Sequence, residues 1–411
     1  MAFPALRHRD YRNVWAALSL SQLGSQLQTA TLAWQLYELT HDALLLGVLG
    51  VARVVPLVVF ALSGGVVADA VDRRRLLMAT QSTLLLVAAT LSALTFTHRI
   101  SPGAIYALAA VAGAALAFDA PARQALVAGL VPMEDLGNAM SLNATAFQLA
   151  AVFGPALAGL LIAARPGDGA AWSYALNAAS FLLPIFALAL LRHTPATQPT
   201  KASFAAAIQG LRFVRGQPVL WGMMWVDAIA TFFAGSLLLL PIYATELLHA
   251  GPRGYGLLVA APSAGAALTA AAMALVPEVR RAGAVVLWSV GLYGASIAVF
   301  GVSRSFPLSL ALLALSGAAD TVSMVIRQTV RNKLTPDALR GRMVSINMVF
   351  FIGGPQLGEA EAGAVAKAFG ATFSVSSGGV ACVLAALAAP FVVPALARYR
   401  SDAPPPERVN R

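Results

Sequence analysis

Residues 44–75, LLLGVLGVARVVPLVVFALSGGVVADAVDRRR, set a long apolar run, 44–67, broken by the single charge Arg53, ahead of three consecutive arginines, Arg73, Arg74 and Arg75. A bilayer core about 30 Å thick takes about 20 apolar residues per helix. A run of this length closed by basic residues reads as a helix that crosses the core and stops at a cytoplasmic surface. The pattern recurs along the whole chain, which is 58% hydrophobic and 11% charged with a mean hydropathy of +0.74. Soluble domains carry roughly a quarter charged residues. The runs are unbroken over helical lengths, which excludes the shorter alternating segments of a barrel.

Runs bounded by charges or by Pro and Gly clusters predict twelve helices. They fall near 14–37, 44–67, 76–97, 103–124, 138–163, 171–191, 219–246, 254–276, 283–302, 307–328, 342–366 and 371–396. A net charge of +10 would point to nucleic acid in a soluble protein, but its distribution gives another reason for it. With the N-terminus in the cytoplasm, 22 of the 28 lysines and arginines fall on the cytoplasmic side and five on the other, with Arg53 inside the second helix. This obeys the positive-inside rule and places both termini in the cytoplasm. No nucleic-acid partner is implied. The first helix is too long and too polar for a signal-peptide core and reads as retained. The single cysteine, Cys382, excludes an internal disulfide framework and a cysteine-based metal site.

The chain also repeats itself. At an offset of 204, Arg123-Gln124 falls on Arg327-Gln328, Pro132 on Pro336, Ser141 on Ser345, Asn143 on Asn347, Gly154 on Gly358 and Gly159 on Gly363. At 205, Leu6-Arg7 falls on Leu211-Arg212. Parallel repeats of this kind put a substrate site near the membrane midplane between two halves. The expected organisation is a six-helix half over 1–192, a cytoplasmic linker with an amphipathic helix over 193–218, a second six-helix half over 219–397 and a cytoplasmic tail over 398–411. Phe204, Ile208, Leu211 and Val214 recur at helical spacing within the linker.

The segment from Gly64 to Arg75 resembles the loop signature Gly-x-x-x-Asp-Arg-x-Gly-Arg-Arg of the major facilitator superfamily. Gly65, Asp69, Arg73 and Arg74 match it, while Ala70 and Asp72 depart from it. The resemblance implies an all-α integral membrane protein with twelve transmembrane helices in two six-helix bundles, the major facilitator fold. It also implies a cytoplasmic gate at Gly65, Asp69, Arg73 and Arg74, to which Asp119 and Arg123, four residues apart on one helix face, are expected to contribute. Gly154-Pro155-Ala156-Leu157-Ala158-Gly159 resembles the helix 5 element of exporters in this superfamily, Gly-Pro-x-x-Gly-Gly, and marks Gly154, Pro155 and Gly159 as a seam. The N-terminal segment Leu6 to Arg12 and the turn from Phe118 to Gln124 are most similar to the drug and siderophore exporters, the enterobactin-exporter group.

A charge at membrane depth costs a few kcal/mol and normally faces a partner or a wet cavity. Exporters of this group are generally proton-coupled, and the resemblance makes Asp227 the first candidate for the proton site, followed by Glu359 and by Arg53 as an ion partner. Asp119, Asp320 and Glu361 are the other intramembrane acids. Gln22, Ser25, Gln26 and Thr29 share one face of helix 1 and are expected to line a cavity, joined by Asn143, Gln148, Phe232, Phe233, Asn347 and Phe350. Trp34 and Tyr37 are expected at the lipid–water interface.

The three lysines, Lys201, Lys333 and Lys367, lie outside any phosphate-cradling Gly-rich loop, which excludes an ATPase. No hydrolase or metalloprotease signature is present, so an intramembrane enzyme is a remote alternative. No cofactor and no metal is expected. The resemblance implies a proton-coupled exporter of amphipathic small molecules such as drugs or siderophores, working as a monomer in the cytoplasmic (inner) membrane. Its partners are the substrate, protons and the lipid bilayer, and uptake by symport is the main alternative.

Overall fold

The computed structural model describes residues 3–191, 214–233, 236–276, 279–336, 355 and 357–401, with backbone only for 61–70 and 236. The helices are α1 (Arg9–Thr40), α2 (Ala43–Ala70), α3 (Arg73–Phe96), α4 (Pro102–Gly129), α5 (Met133–Ala164) and α6 (Gly169–Ala189). They continue with α7 (Pro218–Phe233), α8 (Gly251–Met273), α9 (Ala282–Val302), α10 (Phe306–Leu334), α11 (357–369) and α12 (Ala371–Val392). Among the described residues there is no strand, as expected where no water can satisfy an open sheet edge. Ten stretches among the described residues are long and apolar enough to cross a membrane. The remaining two of the twelve are α1, diluted by its glutamines, serines and threonines, and α11, described only over its second part.

Local sequence sets the helix ends. The Asp72 carboxylate accepts from the backbone N–H of Arg74 (2.8 Å) and caps α3. Ser101 caps α4, with Pro102 at the first helical position, where its missing N–H costs nothing. His41, His98 and His249 adopt left-handed backbone (φ 48°, 52° and 47°) just after α1, after α3 and beyond α7. Side chains on the lipid side are large and apolar: Trp288 is 80% exposed and Phe391 86%. Water would penalise this surface and a bilayer does not.

One expected helix is not regular. The run 219–246 begins as α7, but its C-terminal part is a 3-10 turn (Ser236–Leu239), the short piece Leu240–Ile242 and a π turn (Tyr243–Leu247). Pro241 lacks the N–H that a continuous helix needs at that point, so the hydrogen-bond pattern shifts. The amphipathic helix expected around 204–214 lies outside the described residues but for Val214.

The chain forms two compact units, Met1–Ala202 with Leu237–Ser263, and Ser203–Ser236 with Ala264–Arg411. In the first, Tyr11, Val14, Leu18, Leu77, Leu126, Leu142 and Leu188 build an apolar core across α1, α3, α4, α5 and α6. The N-terminal segment is tied to the start of α5: the Ala5 N–H donates to Asn138 (3.2 Å), His8 meets Asp135 (2.8 Å) and the Tyr11 hydroxyl donates to the Ala139 carbonyl (3.1 Å). The exporter-like start of the chain therefore serves as an anchor for α5. In the second unit, α9 packs closely on α10 and α12. A Cβ at Gly294 would stand 2.7 Å from the Gly379 carbonyl oxygen, so small residues set the spacing of α9 and α12.

The same device joins α5 to α1 and α8 in the first unit. A Cβ at Gly154 would stand 2.6 Å from the Gln26 Cβ, and one at Gly159 would stand 2.9 Å from the Gly256 Cα. In turn, a Cβ at Gly256 would stand 2.6 Å from the Pro155 carbonyl oxygen. Gly159→Val is expected to force α5 and α8 apart and to cost about 1–3 kcal/mol, read as a lower thermal unfolding temperature in detergent. An unchanged unfolding temperature would show that the contact is looser than this geometry.

Candidate functional site

Charged residues within the apolar helices collect into pairs. In the second unit Asp227, two and a half turns into α7, meets Arg327 of α10, with Oδ1 and Nη1 2.6 Å apart. The other guanidinium nitrogen lies 3.9 Å from Asp320, two turns earlier on α10. These groups line a cavity of about 320 Å³ together with Arg331, Gln328 and Thr231. Leu220, Met223, Met224 and Met324 form its apolar wall. The cavity thus holds two carboxylates and two guanidiniums beside a flexible thioether surface, which adapts to varied apolar shapes.

Arg327 is the residue that sequence reasoning missed. Arg53 is the ion partner that the sequence offers among the proton-coupling candidates; the guanidinium observed on Asp227 is that of Arg327, while the Arg53 guanidinium donates to the Thr29 hydroxyl in the first unit (3.4 Å). The signal lay in the repeat, which aligns Arg327-Gln328 with Arg123-Gln124, and in Asp320 placed seven residues before Arg327 on the same helix.

In the first unit Asp119 is buried and holds Arg123 through Nη2 (2.7 Å) and Nε (3.1 Å). Its other oxygen accepts from the Thr80 hydroxyl (2.9 Å) and the Gln81 amide (2.7 Å) of α3. Arg123 Nη1 reaches Gln22 of α1 (3.4 Å). These two residues were expected at a cytoplasmic gate and form this α1–α3–α4 network. Arg73 donates to the Ala125 carbonyl (3.5 Å), and Arg74 donates to the carbonyls of Ala189 (2.6 Å) and Leu191 (3.3 Å). Both arginines brace helix C-termini, where the dipole favours a cation. The side chains of Gly65 and Asp69 lie outside the described residues.

Of the expected cavity residues, Gln22 sits on Arg123, Gln26 packs at Gly154, and Thr29 accepts from Arg53 while donating to the Ser25 carbonyl (2.9 Å). Gln148 donates to the Ser263 carbonyl (3.3 Å), and Asn143 is half-buried on α5. Phe232 and Phe233 meet edge to face, centroids 5.0 Å apart, and the Phe232 carbonyl backs onto Gly358 of α11. Glu359 follows that glycine on α11. Asn347 and Phe350 lie outside the described residues. Trp34 and Tyr37 are not at a lipid interface: both are buried. Trp34 packs on Tyr255, whose hydroxyl donates to the Ala30 carbonyl (2.8 Å), and the Tyr37 hydroxyl donates to Glu246. Their rings fill the contact of α1 with the 237–263 segment, which sequence alone does not bring beside them. Among the described residues no three His, Cys, Asp or Glu side chains come together as a metal site.

A transmembrane secretion effector family model matches residues 1–408. The chain belongs to that family, within the major facilitator superfamily. It is similar to the enterobactin exporter of Citrobacter koseri, 26% identical over 403 residues that cover 97% of this chain and 95% of the relative. The enterobactin exporter of Shigella boydii is likewise 26% identical over 400 residues, 97% and 95% of the two chains. Its backbone resembles a bacterial homologue of the iron transporter ferroportin in an inward-facing state, with TM-score 0.73, 17% identity and coverage of 95% and 99%. It also resembles a bacterial homologue of the lysosomal transporter Spinster, with TM-score 0.73, 14% identity and coverage of 96% and 98%. The protein is therefore a multi-pass membrane transporter of the major facilitator fold, and its named relatives are exporters.

Removing one member of each ion pair leaves a charge without its partner at membrane depth. Asp119→Asn is expected to cost about 3–5 kcal/mol because Asp119 is fully buried. Arg327→Leu should cost less, roughly 2–3 kcal/mol, since Arg327 and Asp227 keep 14% and 22% side-chain exposure. The double variant Asp227→Leu with Arg327→Leu should recover most of that loss. Thermal unfolding of the purified protein reads all three, and a double variant no more stable than Arg327→Leu alone would contradict the pairing.

Proposed function

We propose that this protein is a proton-coupled exporter, an antiporter of amphipathic small molecules such as drugs or siderophores, that works by alternating access. In this reading it sits as a monomer in the cytoplasmic (inner) membrane with both termini in the cytoplasm. Its two six-helix halves are 1–192 and 219–397, joined by the cytoplasmic linker 193–218 and followed by the tail 398–411. The observation that carries the reading is the Asp227–Arg327 pair on the wall of a methionine-lined cavity between the apolar helices α7 and α10.

The chemistry follows from what each charge state of Asp227 does. As a carboxylate it holds Arg327 and offers an acceptor to a donor group of the substrate. Once protonated it loses the ion pair, and Arg327 turns to Asp320, already 3.9 Å away. Substrate and proton then compete for one oxygen pair, which is the requirement for exchange in opposite directions. Glu359 on α11 is the next candidate in the same unit, and Arg53 with Thr29 belongs to the polar lining on the α1 side. Gln22, Gln26, Gln148, Asn143, Phe232 and Phe233, with Asn347 and Phe350, supply amide and aromatic surface for an amphipathic guest. Gly65, Asp69, Arg73 and Arg74 act as the cytoplasmic gate, and Gly154, Pro155 and Gly159 as the moving seam of α5.

The test is transport by the full-length protein in proteoliposomes under an imposed pH gradient, with enterobactin as the first probe and ethidium as an amphipathic cation. Wild type should accumulate a probe against its own gradient as protons run down theirs. Asp227→Asn should lose that accumulation by about tenfold or more, which corresponds to about 1.4 kcal/mol, while still passing the probe downhill. Probe movement that ignores the pH gradient would remove proton coupling, and probe movement together with protons would make the protein a symporter.

A further inference from the structure

The Asp227–Arg327 pair has a counterpart in the other repeat. The offset of 204 that carries α4 onto α10 takes Arg123 to Arg327. The offset of 205 that carries Leu6-Arg7 onto Leu211-Arg212 takes Gln22 of α1 to Asp227 of α7. Within the first unit Gln22 touches Arg123, Oε1 to Nη1 at 3.4 Å, and within the second unit Asp227 touches Arg327, Oδ1 to Nη1 at 2.6 Å. Two positions matched by sequence offset are thus matched again by contact. The repeat has duplicated an interaction, and only one copy is ionisable on both sides.

The reason for the difference lies one turn away. Arg123 has an acid four residues before it, Asp119, which holds two of its nitrogens and is itself fixed by Thr80 and Gln81. The guanidinium is neutralised on its own helix, so a neutral amide suffices on α1. The position equivalent to Asp119 in α10 is Ser323, and the helix's own acid, Asp320, is a further three residues back and 3.9 Å from Arg327. The charge of Arg327 must then be met from across the helix contact, and position 227 carries the acid that meets it. Asp227 shares its cavity with Asp320 and Arg331 of α10 and interacts electrostatically with Tyr293 of α9, with Cys382 of α12 beside Ala230 and Gly358 of α11, which Glu359 follows, against the Phe232 carbonyl. Gln22 meets Arg123 of α4, which in turn holds Asp119.

We propose that Gln22–Arg123 and Asp227–Arg327 are two copies of one site, of which the first is locked in a proton-inert form by Asp119 and the second exchanges the coupling proton. Residue 22 is in this account a positioning residue: it orients Arg123 toward the polar face of α1, and its amide keeps that copy silent to pH. The transporter then moves one proton per turnover, and the identity of residue 22 sets that number. This rests on the proton-coupled reading above and makes a separate demand on the other repeat.

The experiment moves the acid between copies. Wild type, Asp227→Asn, Gln22→Asp and the double variant Gln22→Asp with Asp227→Asn are reconstituted, with Gln22→Glu in place of any Gln22→Asp protein that fails to fold. Uphill transport of enterobactin under a pH gradient is measured together with protons moved per probe molecule. The double variant should regain about a third or more of the wild-type accumulation that Asp227→Asn loses, and Gln22→Asp alone should raise the proton count from about one to about two. If Asp227→Asn itself keeps wild-type gradient dependence, the coupling reading fails and the duplication falls with it. If Asp227→Asn loses coupling and the well-folded double variant regains none, the duplication alone is overturned.

Discussion

A bilayer interior gives a charge nothing to bond to, so each one carried there must bring its partner. Placing Arg or Asp at the centre of a membrane helix costs about 2.5–3.5 kcal/mol on insertion scales. In this protein the cost is offset by pairing: Asp119 with Arg123, and Asp227 with Arg327. The Asp227–Arg327 pair ties α7 to α10, while Asp119–Arg123 lies within α4 and is joined to α3 by Thr80 and Gln81 and to α1 by Gln22. The polar stripe of α1 has the same origin, since Gln22 meets Arg123, Gln28 meets Asn177 and Gln35 meets Tyr174 and Thr95. Lipid would leave each of these amides unsatisfied.

The rest of the packing comes from small residues, because lipid tails are as apolar as leucine and give helices little reason to associate. Gly154, Gly159 and Gly256 let α5 lie against α1 and α8, and Gly294 with Gly379 does the same for α9 and α12. Close backbone approach supplies dispersion where the hydrophobic effect cannot. A seam of this kind carries few directional bonds and so tolerates sliding, whereas the ion pairs are discrete and either made or broken. The packing therefore combines smooth seams with a small number of discrete polar contacts.

Much of this was legible in the sequence, because hydropathy, charge placement and repeat spacing are one-dimensional signals. The runs of apolar residues gave the helices, and the loop from Gly64 to Arg75 together with the Gly-Pro element of α5 pointed to the right superfamily and exporter group. What the sequence withheld is neighbourhood. Arg327 lies at the end of an apolar run, and hydropathy alone does not place it beside Asp227 of α7. Trp34 and Tyr37 have the composition of an interface belt, and only the packing of Tyr255 and Glu246 beside them accounts for their burial. The irregular stretch from Ser236 to Leu247 holds Pro241, but a proline in a membrane helix is common enough to pass as a kink.

The two repeats carry the same guanidinium and differ in how it is neutralised. In α4 the acid is on the same helix, one turn away and buried, so the contact to α1 is left to an amide. In α10 the near position is a serine, and the acid is supplied by α7. The central claim is that Asp227 is the group that binds and releases a proton. Infrared difference spectroscopy on the purified protein between high and low pH tests it directly. The account predicts a carboxylic acid C=O band that appears in acid in wild type and is absent from Asp227→Asn. A band that persists unchanged in that variant, or a wild-type spectrum without one, would contradict it.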